Sequence, residues 1–180
     1  MTERTGTMEP NFGLFRRVFG ITIAACAVLI FATSAKADCA DPPQPKVDWM
    51  KCVFPHRDFN KADLRGARLK DGRFIRSDFS GANLEAADMR RAKFMDGILT
   101  KARLVKARLN GADLTGADLR EADLSGSNLS RTQLQHADLR GANLTGANMR
   151  ETQLRGADLS GALWTDGKHY CAEGSIGQCK

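Results

Sequence analysis

Histidines and cysteines are the residues of this chain best suited to catalysis or metal binding. His56, His136 and His169 are far apart in the sequence, and no serine or cysteine nucleophile has a base at a recognisable spacing. No glycine-rich phosphate loop is present either, and the many aspartates simply recur at regular intervals. The sequence therefore predicts a protein that is not an enzyme and binds no cofactor.

Four of the five cysteines flank a repetitive middle segment: Cys39 and Cys52 at its start, Cys171 and Cys179 beyond its end. Their spacing lacks the C-x-x-C pairs of zinc sites, so we expect structural disulfides rather than a metal site. Three connectivities are open. Local pairing would close a loop of about ten residues at each end, worth about 2–3 kcal/mol per bridge.

The first part of the chain resembles a secretory signal. Arg16 and Arg17 precede an apolar run that ends at Ala32, and small residues follow at Ala35 and Ala37. A basic start, a short apolar stretch and an A-x-A site are the three parts of a cleavable signal, and the run is short for a membrane span. We therefore predict cleavage after Ala37.

Cleavage there defines a signal peptide at 1–37 and a mature chain that is periplasmic or secreted. The membrane is then contacted only through the signal segment. An uncleaved anchor is the alternative. The export route also stays open, because the arginine pair resembles a twin-arginine signal but lacks its flanking residues. A lipoprotein box at Cys26 is disfavoured by the apolar residues that follow it.

From Cys52 to Asp166 the sequence repeats every five residues without insertion. The centres of the 23 fives, Phe54 to Trp164, are all Leu, Phe, Met or Trp, and Ala stands two residues before the centre in 15 of them. Residues two apart in a strand face the same way, so both point inward and the residue between them points outward. Glycine ends nine of the fives, where a corner is needed. This pattern predicts a solenoid and excludes a helix.

The unbroken motif A(D/N)LXX resembles the pentapeptide-repeat proteins. The resemblance covers 52–166 and implies an all-β fold, a right-handed quadrilateral parallel β-helix with four fives per coil, here about six coils. Residues 38–51 would then be an N-terminal cap and 167–180 a C-terminal disulfide tail, and both resemble the ends of exported members. Trp49 and Trp164 are placed to cover the core ends, and a homodimer through one solenoid end is a further expectation.

Stacking residues twenty apart predicts which side chains share a face. Phe54, Phe74 and Phe94 form one internal ladder, and Phe59 with Phe79 a second. Outside, one side carries seven basic residues against three acidic ones, and the next side adds more. The basic residues predicted to face an anionic partner are Arg68, Lys70, Arg73, Arg76, Arg90, Arg91, Lys93, Arg108, Arg131 and Arg150.

This basic flank is either an ordinary solvated face or a site for an anionic partner, such as lipid head groups or an acidic protein. Nucleic acid is not expected, because no aromatic residues are interleaved with the charges.

A third side stacks aspartates in one column, with Arg120 and Arg140 as neighbours. Ile75, Met95 and Ile98 interrupt the polar exterior and predict an apolar contact patch, the alternative being isolated surface hydrophobes.

These features favour an exported scaffold that binds a protein or an anionic envelope component through its outer faces. Two alternatives remain. Some cytoplasmic pentapeptide-repeat proteins resemble DNA in shape and charge and inhibit DNA gyrase, but their surface is acidic whereas this chain has a net charge of +6. The other alternative is an effector that is secreted to another cell.

Overall fold

The computed structural model describes residues 38–180. The predicted signal over 1–37, with its cleavage after Ala37, lies outside the described residues. Residues 38–180 form isolated β-bridges separated by turns, without an α-helix or a strand longer than one bridge residue. Within this range no helix is long and apolar enough to cross a membrane.

Parallel bridges join each outward residue to the one twenty positions later, so one coil takes twenty residues, or four fives. The N–H of Leu99 donates to the carbonyl of Asp118 at 2.7 Å, and the N–H of Asp118 donates to the carbonyl of Gly97 at 2.9 Å. The same pair of bonds recurs along the chain and satisfies the backbone groups that point along the axis. Four columns of bridges result, starting at Asp48, Val53, Asp58 and Asp63.

The first bridge lies inside the segment that was expected to be the N-terminal cap. Asp48 bridges Arg68, Val47 and Trp49 on either side of it are buried, and Trp49 is 1% exposed. Val47-Asp48-Trp49 therefore follows the small–polar–large pattern of the other fives. The indole N–H of Trp49 donates to the carbonyl of Asp41 at 3.2 Å, which ties the preceding loop to this end.

Each corner turns through a residue with positive φ. A bond from the N–H of Ala67 to the carbonyl of Leu64, 3.0 Å long, closes one such turn, and equivalent bonds close the others. The last residue of every five from 46 to 161 has positive φ, and fifteen of these residues are not glycine. Ala86, at φ 56°, is an example. Left-handed backbone costs a residue with a Cβ about 1–2 kcal/mol, so the ladder bonds of the solenoid hold these corners against their local preference.

The predicted aromatic ladders are confirmed. Phe74 stacks on Phe94 with ring centroids 4.9 Å apart, and Phe59 stacks on Phe79 at 4.8 Å. Trp49 extends this cluster to the N-terminal end, 4.9 Å from the ring of Phe54. The centres from Leu99 to Leu144 are all leucine and fully buried, so the core changes from aromatic to aliphatic along the axis.

Both disulfides are local. Cys39 pairs with Cys52 with their Cα atoms 5.6 Å apart, and Cys171 pairs with Cys179 with their Cα atoms 4.8 Å apart. Of the three open connectivities, the structure shows the one that closes a loop at each end of the repeat.

The C-terminal tail caps only part of the last coil. Tyr170 forms an antiparallel bridge with Leu163, and Ile176 forms one with Asp158. These two bridges lie on two of the four columns. The other two columns end at Asn148 and Gln153, and the tail adds no bridge to them.

Candidate interaction surface

The histidines are placed too far apart to form one site. His56 and His136 occupy the same corner column four coils apart, each with positive φ, whereas His169 contacts Asp166 in the tail. Residues 38–180 contain no group of three His, Cys, Asp or Glu side chains that could hold a metal ion. The chemistry that the structure offers lies in the charges on its outer faces.

Most basic residues of the predicted flank form ion pairs with carboxylates of the same or the neighbouring coil. Seven of the ten basic residues form ion pairs, and several pairs join residues twenty apart on neighbouring coils, as Arg91 Nε does with Asp71 Oδ1 at 2.7 Å. The pairs are Arg68–Asp48, Arg76–Asp96, Arg90–Asp88, Arg91–Asp71, Arg108–Asp88, Arg131–Glu151 and Arg150–Glu151.

These contacts lower the pKa of two of the carboxyls, Asp71 and Asp88. The hydrogen bond from Arg91 lowers the pKa of Asp71, helped by the nearby charges of Lys70 and Lys51. Burial acts to raise the pKa of Asp88, but the hydrogen bonds from Arg90 outweigh it and the pKa falls. The seven paired arginines share five carboxylates, because Asp88 and Glu151 each contact two arginines. Most of their charge is therefore balanced within the solenoid, and they attract an outside anion only weakly.

The remaining three basic residues, Lys70, Arg73 and Lys93, have no ion-pair partner in the part of the chain that the structure describes. We call them the corner cluster. Arg73 and Lys93 are exposed and bridged to each other on adjacent coils, and Lys70 is partly exposed just before the turn that leads to Arg73. The total charge of each side does not distinguish these three residues from the paired ones. A search for acidic residues twenty positions away finds none for Lys70 and Arg73.

A shallow groove of about 330 Å³ lies at the C-terminal end of the same flank. Arg91, Arg131 and Arg150 line it, together with Asn148 and Glu151. The groove exists because the coil between Arg91 and Arg131 has Gly111 at its corner, with no side chain to fill the space. The sequence signal for it is a glycine between two arginines at twenty-residue spacing.

The predicted apolar patch is divided between two sides of the solenoid. Ile75 and Met95 are partly exposed on adjacent coils at one corner, whereas Ile98 is 41% exposed in the next column, between Asp78 and Asp118. Other exposed apolar residues lie near the two ends, outside the predicted patch; Val53 and Tyr170 are the most accessible of them, at 59% and 69%.

The acidic column is confirmed, including its neutralising neighbours. Asp118 and Asp138 bridge on adjacent coils, and each receives a 2.6 Å contact from an arginine two residues later, Arg120 and Arg140. These hydrogen bonds lower the pKa of both carboxyls. Ile98 interrupts the column, so the negative charge does not run unbroken along this side.

A family model described as pentapeptide repeats matches the chain in eight copies, over residues 58–96, 98–131 and 127–163. The crystal structure of a pentapeptide repeat protein, Rfr23 from the cyanobacterium Cyanothece 51142, is 27% identical, with a TM-score of 0.50 over 67% of this chain and 89% of that chain. A pentapeptide repeat protein from the Arabidopsis thaliana thylakoid lumen is 34% identical over 59% of this chain and 67% of that chain, with a TM-score of 0.41. No curated protein matches.

The family model, the twenty-residue spacing of the bridges and the inward pairs of small and large residues agree with one another. The chain therefore belongs to the pentapeptide repeat family, whose members are right-handed β-helix solenoids.

Proposed function

We propose that this protein is a non-catalytic, exported scaffold that binds an anionic protein or envelope component through the corner cluster. The observation that carries the proposal is the contrast on one flank: among residues 38–180, seven basic residues are paired internally, whereas Lys70, Arg73 and Lys93 are not. Cations on adjacent coils that lack an internal ion pair can pair with an outside anion without breaking a contact of the solenoid.

The family supports the scaffold part of the proposal, because pentapeptide repeat proteins are generally structural or interaction proteins rather than enzymes. We propose about six four-sided coils, which at about 4.8 Å per coil give a rod roughly 28 Å tall. Such a rod presents its columns at fixed distances, and a partner with matching charges binds without ordering the rod first.

Export is supported by the two disulfides, which persist in oxidising compartments. We propose a periplasmic or secreted protein, cleaved after Ala37. Cell fractionation followed by mass measurement of the native protein tests this. The expected species begins at Asp38 and is lighter by four hydrogens than the reduced chain. A cytoplasmic, full-length, fully reduced protein would contradict the proposal.

The partner is tested by pull-down from an envelope extract at low and moderate salt. A triple variant, Lys70→Gln with Arg73→Gln and Lys93→Gln, is expected to lose the captured material. Raising the salt to about 0.5 M should also release it from the natural protein, because exposed charges are screened.

A second triple variant is the matched control. Lys61→Gln, Lys106→Gln and Lys168→Gln remove the same total charge at exposed sites away from the corner cluster. Equal loss of binding in both triple variants would show that net charge alone matters and would overturn the assignment to the corner cluster.

The gyrase alternative requires a dense acidic surface. Here the acidic column is interrupted by Ile98 and neutralised at Asp118 and Asp138. We therefore expect no inhibition in a DNA supercoiling assay with the purified protein.

Recovery from the culture supernatant instead of the periplasm would favour the secreted effector. A homodimer through a solenoid end stays a prediction that native mass measurement tests.

A further inference from the structure

The last coil ends in an open backbone edge on two of its sides. One coil earlier, the N–H groups of Leu129, Arg131, Leu134 and His136 donate to the next coil at 2.9–3.0 Å. Within residues 38–180, the four N–H groups at the equivalent positions of the last coil have no backbone acceptor. They belong to Met149, Glu151, Leu154 and Gly156, of which Gly156 lies beside Gly177 of the tail.

Two carbonyls complete this edge. The carbonyls of Ser127 and Thr132 accept bonds from the following coil, whereas those of Ala147 and Thr152, one coil on, receive none from the described part of the chain. On the other two sides the tail provides partners for the last coil. For example, the N–H of Leu159 donates to the carbonyl of Ser175 at 2.9 Å. The unbonded groups therefore form a template for one more segment of extended chain.

Apolar side chains at this edge are also incompletely covered. Leu129 and Leu134 in the preceding coil are fully buried, but Met149 and Leu154, which stack on them, remain partly exposed. A segment that added to the edge would cover both side chains with its own inward residues, as each coil covers the one before it.

The charge of the edge identifies what fits it. Arg150 and Arg155 are both exposed beside the open N–H groups, and Arg155 has no ion-pair partner among the described residues. The groove lined by Arg91 and Arg131 extends to the last coil, where Arg150 lines it. Glu151 is the one acidic residue lining that groove, and it is held by both Arg131 and Arg150. The surroundings of the edge are cationic.

We propose that this edge binds an extended, acidic segment of another protein by strand addition, with inward apolar residues over Met149 and Leu154 and outward carboxylates toward Arg150 and Arg155. A second copy of this chain fits poorly, since it would place its own Arg150 and Arg155 against the same pair. Residues 1–37 carry four basic and two acidic residues, so they lack the matching charge. This edge site is separate from the corner cluster.

Fluorescence anisotropy with a labelled synthetic peptide tests the edge site. The probe is a ten-residue peptide, Ala-Glu-Leu-Ser-Gly repeated twice and blocked at both ends, added to the natural protein as purified. We expect saturable binding, reduced at least tenfold by Arg150→Gln with Arg155→Gln. The corner-cluster triple variant should bind the peptide normally, so the edge site and the proposed function can fail independently.

Two further peptides separate strand addition from simple charge attraction. In every parallel bridge the outward residue of the later coil both donates and accepts the inter-coil bonds, as Asn148 does. N-methylation of both glutamates in the peptide should therefore weaken binding at least tenfold, and replacing both glutamates by lysine should abolish it. Equal binding of the N-methylated or the lysine peptide would overturn the proposal. A native mass of two copies that the peptide does not change would overturn it as well, by assigning the edge to a second copy.

Discussion

The hydroxyl of Ser77 donates a 2.6 Å hydrogen bond to the carbonyl oxygen of Phe54, twenty-three residues earlier. Thr132 makes the same contact with Leu109 at 2.9 Å. Ser127 occupies the equivalent inward position of its five and is 1% exposed, yet its hydroxyl has no hydrogen-bond partner in the described chain. One inward position therefore holds both satisfied and unsatisfied hydroxyls.

Replacing these two serines by alanine should change stability in opposite directions. Ser127→Ala removes a buried, unbonded hydroxyl and is expected to stabilise the protein by about 1 kcal/mol. Ser77→Ala breaks the bond to Phe54 and removes the acceptor of the Arg57 N–H, and it should destabilise by about 1–2 kcal/mol. Urea unfolding of both variants measures the difference. A loss of stability in Ser127→Ala would contradict this account.

Gly72 and Phe74 should be energetically coupled. A Cβ on Gly72 would lie 2.6 Å from the Phe74 ring, so Gly72→Ala is expected to cost about 1–3 kcal/mol through overpacking. Combined with Phe74→Leu, Gly72→Ala produces the Ala–Leu pair common elsewhere in the repeat. In that background Gly72→Ala should cost clearly less. A double-mutant cycle by chemical denaturation measures the coupling, and strictly additive effects would show that the ring is not the obstacle.

Exchanging alanine and glycine at a corner should change the stability of the protein through the positive φ of that position. Ala86 has φ 56° and is exposed, so Ala86→Gly removes left-handed strain and should stabilise by roughly 0.5–1 kcal/mol after the entropy cost of glycine. Gly146 has φ 67° and its nearest neighbour would be 3.9 Å from a new Cβ. Gly146→Ala should therefore destabilise by a similar amount. Shifts of the same sign in the two unfolding midpoints would rule out backbone strain as the cause.

The tail disulfide should stabilise the C-terminal cap. Cys171 and Cys179 are eight residues apart, and their joint replacement by serine is expected to cost about 2–3 kcal/mol. Because the tail pairs with Leu159 and Gly161, amide hydrogen exchange at these two residues should accelerate before exchange in the middle coils. Uniform acceleration along the whole chain would instead indicate global unfolding without a local role for the bridge.

Asp166 gives a pH-dependent prediction at the same end. Hydrogen bonds from the backbone N–H groups of His169 and Lys168 lower the pKa of Asp166 from its ordinary 3.8 to about 2. Because folding lowers the pKa of Asp166, the ionised carboxylate stabilises the cap above about pH 4. This stabilisation is lost as the pH falls toward 2 and the carboxylate is protonated. An NMR titration of the Asp166 carboxyl measures this directly. A value at or above 3.8 would show that the turn does not form in solution.

The repeat itself could be predicted from sequence, because one rule acts at every five. The inward residues and the aromatic ladders follow from strand geometry and twenty-residue stacking, and the resemblance supplies the four-sided coil. The same rule also covers the residues around Trp49, where valine takes the place of alanine and Asp48 bridges Arg68.

The interaction surface was less predictable, because it depends on contacts between particular side chains. Arg90 and Asp88 pair within one five, whereas Arg91 and Asp71 pair across two coils, and a charge total for the side does not distinguish the two cases. The open edge beside Met149 depends on where the tail folds back. A tail of 14 residues without a repeat carries no pattern from which that position follows.

The bridges between residues twenty apart have a consequence for how this surface can evolve. Deleting twenty residues removes one coil and leaves every later side chain on its original face. Deleting five keeps the small–large alternation of the core but moves each later column one side around the axis. Insertions and deletions in multiples of five can therefore bring new combinations of charges together, such as the corner cluster and the arginine groove, while the buried pattern is retained.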